Sequence, residues 1–113
     1  MKRRSIEPEI ASESAEESLC RAMLALDKLS DMRAFLRDLC TPAEMEALID
    51  RWRVVPHVLE GVPYRDIHEL TGVSITTIGR VARFLNDGNG GYQAAIKAAA
   101  AHQAPRRKAG KKA

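Results

Sequence analysis

The chain has 113 residues, with 18 Lys and Arg against 15 Asp and Glu and a net charge of +3. That length allows one domain, small enough that self-association is a natural way to gain core. No run approaches the ~18 apolar residues of a membrane-spanning helix, the basic start Met1-Lys2-Arg3-Arg4 leads into acidic residues instead of the apolar stretch of an export signal, and five aromatic residues are too few for a single-strand stacking platform.

Residues 1–12 are polar, alternate in charge and have no apolar period, which predicts a flexible N-terminal segment. From Ser14 the pattern is helical: Leu19, Met23 and Leu26 recur at helical spacing, with Glu16, Glu17 and Arg21 on other faces. Asp27 to Ser30 is the expected break, and Asp31 the expected cap of a short second helix carrying Phe35, Leu36 and Leu39. The third helix has the clearest start. Thr41-Pro42-Ala43-Glu44 offers a capping hydroxyl, Pro at the first helical position, and Glu three residues after the cap, the pattern of a capping box. Met45, Leu48, Ile49, Trp52, Val55 and Leu59 then form an apolar stripe to Gly61. Pro56 lies inside it and predicts a kink or break there, at a cost of ~3 kcal/mol recovered by packing. Trp52 reads as a core or dimer-seam anchor. Residues 13–60 are thus the expected helical dimerisation region.

Pro63–Thr71 reads as one short helix with Ile67 and Leu70 inward, and Ser74 as the cap of another running to about Leu85. Between them Gly72 can take positive φ without strain, so residues 61–86 have the pattern of a helix-turn-helix. Ile67, Val73, Ile78 and Val81 fall where such a unit buries apolar side chains. The second helix is expected to turn Ile75, Ile78 and either Val81 or Ala82 inward, leaving Thr76, Thr77, Arg80 and Arg83 outside. It contains no acidic residue between Ser74 and Leu85. Small hydroxyls near the N-terminus with arginines further along suit a major-groove helix, whose first residues approach bases while later ones grip phosphates. The expected DNA-binding residues are Arg65, His68, Ser74, Ile75, Thr76, Thr77, Arg80 and Arg83. Among them, Ile75 and Thr76 are placed to touch thymine methyls or base edges. His68 stands where many such units carry Ala; the expectation is that it points outward with Arg65 toward the phosphate backbone. Asn86-Asp87-Gly88-Asn89-Gly90-Gly91 is a breaker cluster. A C-terminal helix of residues 87–104 follows, strongest from Tyr92 to about His102. Pro105 should stop it, leaving residues 105–113 a basic disordered tail.

These motifs resemble the tryptophan repressor superfamily. Thr41-Pro42-Ala43-Glu44, Arg51, Gly61, Arg65-Asp66-Ile67, Gly72-Val73-Ser74-Ile75-Thr76-Thr77-Ile78 and Arg80 stand in its order and spacing. Phe84-Leu85-Asn86 to Gly90-Gly91-Tyr92 resembles its TrpR-related YerC/YecD branch in particular. The likeness covers about residues 27–100. It implies an all-α, six-helix chain whose N-terminal helices interlock in a homodimer that projects two helix-turn-helix heads. It also implies a bacterial transcription regulator, expected to act as a repressor on a palindromic operator in double-stranded DNA.

In the family's founding member the carboxylate of the tryptophan corepressor meets two arginines, matched by Arg51 and Arg80, with the capping threonine, here Thr41, nearby. Two positions depart: Val81 replaces the glycine that makes room for the indole, and Phe84 replaces a serine near the amino group. Thr41, Arg51, Arg80, Val81 and Phe84 are therefore the expected remnant of an effector pocket, with Val81 and Phe84 filling it. Tryptophan is not the expected corepressor, and no other effector is named by these residues.

Other classes find less support. No phosphate-cradling loop and no Cys-His or Ser-His pairing points to an enzyme, and Gly88-Asn89-Gly90-Gly91 follows a helix, so it reads as a hinge. Cys20, Cys40, His57, His68 and His102 match no zinc spacing, and both cysteines read as small apolar helix residues in a reducing cytoplasm, on the nucleoid. No metal, cofactor or membrane is expected. The rival readings are a helical protein-protein adaptor using the acidic residues of 7–17 and a low-specificity architectural DNA-binding protein. Charge is uneven: residues 1–60 hold 9 basic and 12 acidic side chains, residues 61–113 hold 9 and 3. Five of those last basic residues lie in 106–112, so the tail carries the bulk charge, either as sequence-blind DNA affinity or as a solubilising segment.

Overall fold

A computed structural model describes the backbone of residues 12–112 and the side chains of 14–102, so the expected flexible segment 1–12 falls almost wholly outside the described residues. The elements are α1 (Ser12–Ala25), α2 (Leu29–Leu39), α3 (Pro42–Arg53), α4 (Val55–Leu59), α5 (Tyr64–Thr71), α6 (Ile75–Asp87) and α7 (Gly91–Lys112). Every regular element among the described residues is a helix, and α3 and α4 are separated by Val54 alone, so they are one interrupted helix in a six-helix chain.

The chain divides into two units at Met45 and Glu46. In the first, α2 begins two residues before Asp31, the expected cap. Lys28 occupies that position, and its carbonyl accepts the N–H groups of Asp31 (3.1 Å) and Met32 (3.0 Å). Asp31 instead stands in the first turn, where its charge favours the helix N-terminus. Cys40, read as a helix residue, is the extended C-cap of α2. The start of α3 is as expected: Thr41 N–H donates to Glu44 Oε1 (2.8 Å) and Glu44 N–H to Thr41 Oγ1 (3.1 Å). No residue of α1 or α2 whose side chain is described is buried.

In the second unit the break comes at Val54, two residues before Pro56. Pro56 cannot donate to the Trp52 carbonyl, and its ring crowds that carbonyl, so the disturbance appears upstream. Pro56 then sits in the first turn of α4, where no intrahelical donor is required. Positive φ at Gly61 (76°) and Gly72 (79°) lets the chain turn out of α4 and α5.

The core of this unit is Val54, Val55, Ile67, Val73, Ile78, Val81 and Leu85. It lies where α6 packs on α4, α5 and α7. Val58, Val62, Tyr92 and Ile96 close its edges, and Gln93 donates to the Leu85 carbonyl, tying α7 to α6. Ile67, Val73, Ile78 and Val81 are therefore buried as the helix-turn-helix pattern requires. Ile75, expected inward, is 46 % exposed at the first position of α6, one turn before the buried Ile78. Leu70 is likewise exposed. Two boundaries move outward. α6 continues to Asp87 and so ends on an acid, and α7 continues through Pro105 to Lys112 instead of stopping near His102. Proline removes one ladder bond there, while the alanines before it have the highest helix propensity.

Candidate nucleic-acid interface

The turn between α5 and α6 is held by side chains as well as backbone. Gly72 N–H donates to the His68 carbonyl (2.8 Å), closing α5. Thr71 Oγ1 donates to the Ile67 carbonyl (2.7 Å) and accepts from Val73 N–H (3.1 Å). Arg53, which pairs with Asp50 at 3.8 Å, also donates to the Thr71 carbonyl at 3.4 Å. Ser74 has the extended backbone of an N-cap, and its Oγ accepts Thr77 N–H (3.1 Å) while its hydroxyl donates to Thr77 Oγ1 (3.1 Å). Ser74 thus spends its hydroxyl at the helix start, while Thr77 Oγ1 accepts from it and keeps its own proton to donate.

Thr76, Arg80 and Arg83 follow at spacings of four and three, which puts them on one stripe of α6, and all three are exposed. Ile75 is exposed beside them, as are Arg65 and His68 on α5. The stripe meets no acid before Asp87 at the far end of the helix. The His68 ring is turned back to the turn, with Nδ1 2.8 Å from the Val73 carbonyl. Arg80 and Arg83 both lean on Phe84: their guanidinium carbons lie 5.0 and 5.7 Å from its ring centroid, within cation–π range.

Arg51 and Arg80 line one open cavity of about 520 Å³, with Trp52, Phe84, Asn89 and Tyr92 in its walls. This corrects the expectation that Val81 and Phe84 fill the space. Val81 is fully buried in the core and takes no part in the wall, because α6 turns it toward the other buried residues. Phe84 stands in the wall and leaves the cavity open. Thr41 has its hydroxyl and N–H committed to the capping box. Trp52 is 46 % exposed, which corrects the core half of its core-or-dimer-seam reading and does not bear on the dimer seam. Sequence reasoning gives Arg53, Asn89 and Tyr92 no part in the site, although Asn89 and Tyr92 fall within motifs that it names. The spacing of Arg53 to Asp50 is local, but its bond to the Thr71 carbonyl spans 18 residues and leaves no mark in the sequence.

Among the described residues, no helix is long and apolar enough to cross a membrane. The Trp repressor protein family matches residues 15–100. The chain is 39 % identical over 80 residues to the Bacillus subtilis protein named Uncharacterized protein YerC, covering 71 % of this chain and 77 % of that one. It is 37 % identical over 81 residues to the Trp operon repressor homolog of Xylella fastidiosa (strain M23), covering 71 % and 88 %. The crystal structure of a TrpR like protein from Eubacterium eligens superimposes with a TM-score of 0.69 at 40 % identity, covering 74 % of this chain and 87 % of that one. With its helices, its turn and these likenesses in agreement, the chain belongs to the Trp repressor family, as a TrpR-like regulator.

Proposed function

We propose that the protein is a sequence-specific transcriptional regulator, acting as a repressor, that reads a palindromic operator in double-stranded DNA as an intertwined homodimer. The observation that carries this is α6: a capped helix presenting Thr76, Arg80 and Arg83 on one exposed stripe free of acid until Asp87. Two copies would enter successive major grooves one turn apart, ~34 Å. Ile75 and Thr76 meet base edges or thymine methyls, while Arg65, Thr77, Arg80 and Arg83 hold backbone and bases. Support for the dimer comes from α1 and α2, which leave Leu24 84 % and Leu29 75 % exposed. The place of work is the nucleoid. Selection of bound duplexes from a random pool tests the reading, with a palindrome of fixed half-site spacing as the expected result. Equal affinity for random and selected duplexes would instead indicate an architectural protein, and dimers without salt-dependent DNA affinity an adaptor.

Tryptophan is not the corepressor in this proposal. The cavity is open, so the reason is not that it is filled; what supports the reading is that Arg80 already rests on the Phe84 ring. Calorimetry is expected to show no micromolar tryptophan binding. Such binding, abolished by Arg80→Ala, would overturn the reading. The basic residues of 106–112 add sequence-blind affinity through counterion release. Deleting residues 105–113 should leave the preferred sequence unchanged and flatten the plot of log affinity against log salt, by about 0.9 for each phosphate that the tail neutralises in the full chain.

A further inference from the structure

Val73 is the last residue before the α6 cap, and everything it owns is held. Its side chain is buried, its N–H donates to Thr71 Oγ1, and its carbonyl lies 2.8 Å from His68 Nδ1. The carbonyl would otherwise lack a helical donor: the Ile78 N–H bonds Ser74, so the α6 ladder starts one residue later. A carbonyl only accepts, so Nδ1 must carry the proton of this bond. His68 therefore grips the turn twice, its own carbonyl taking Gly72 N–H and its ring holding Val73.

We infer that His68 is a positioning residue that locks the α5–α6 turn and sets the aim of the recognition helix, instead of a phosphate contact. The inference rests on the DNA-binding reading for its consequence and on the turn geometry for its mechanism. Because Ser74 follows Val73 directly, freedom at the Val73 peptide becomes freedom in the direction of Ile75 and Thr76. A looser aim should cost affinity for the selected operator more than affinity for random duplex, since only base contacts need the exact approach.

Two measurements on the full chain test it. In the free protein, long-range proton–nitrogen NMR is expected to show neutral His68 as the Nδ1–H tautomer; an Nε2–H tautomer overturns the lock. In binding to the selected operator, His68→Ala should lose roughly three- to tenfold, the worth of one hydrogen bond. His68→Asn, whose amide nitrogen reaches about where Nδ1 sits, should restore most of that, and His68→Gln should not. The salt slope should be the same in all three. Restoration by His68→Lys but not by His68→Asn, with a shallower salt slope in His68→Ala, would overturn the inference in favour of a phosphate contact. A wild type that binds no duplex overturns the DNA-binding reading instead, and leaves the tautomer result standing as the test of the lock alone.

Discussion

Ile78→Ala is expected to unfold the helix-turn-helix head at physiological temperature or bring it close to unfolding. Ile78 is fully buried at the centre of the seven-residue core, on the helix that packs against α4, α5 and α7. Truncating such a side chain costs about 2–5 kcal/mol, the lost transfer energy plus the cavity left behind. A small domain holds only ~5–15 kcal/mol in total. Denaturant melts followed by circular dichroism should show stability falling by that amount. Ile75→Ala, one turn earlier and half exposed, is the control: its stability should change by less than about 0.5 kcal/mol. Its effect should appear in operator affinity, as a loss of about 1–3 kcal/mol confined to the base it touches. An Ile75→Ala protein as unstable as Ile78→Ala would place Ile75 in the core after all.

The second large effect lies in the first unit. The described side chains of α1 and α2 include no buried residue, and a lone helix of 14 or 11 residues is marginal at the ~12–15 residues an isolated helix needs. Leu24 and Leu29, on either side of the break between them, are among the most exposed large apolar residues described. Leu24→Glu with Leu29→Glu should therefore be neutral in a protein that works as a monomer. In the proposed dimer the two carboxylates of each copy would be driven into an apolar interface with no partner charge. Sedimentation equilibrium is expected to show monomer, and operator affinity to fall by about 100-fold or more. A double variant that remains dimeric and binds as wild type would remove the N-terminal helices from the interface.

What the sequence makes legible is local. The Thr41–Glu44 box closes within one helical turn and satisfies its own donors, so its pattern and its geometry coincide. The same holds for Gly72, whose positive φ is a property of the residue, and for the Ser74 cap. Expectation and structure part where the outcome depends on a neighbour. Pro56 marks a break, but the residue that yields is Val54, because proline acts on the carbonyl four positions before it. Likeness assigns Val81 to a pocket, whereas packing puts it in the core. The hydrogen bonds of Arg53 and His68 to the turn follow from rotamers that no spacing encodes. Of the expected DNA-binding set, the Ser74 hydroxyl is occupied with capping, and the His68 ring with the turn. The exposed stripe of Thr76, Arg80 and Arg83 follows directly from helical period.

The interruption at Val54 leaves α4 with five residues, and Pro63 and Gly72 bound α5 at eight, both shorter than a helix that persists alone in water. Neither can form first and wait for the other. Their helicity is supplied by the side chains they share with α6, so secondary and tertiary structure in this head must appear together and vanish together. For α4 and α5, order is therefore a property of the assembled head, and losing the core around Val55 and Ile67 means losing both helices.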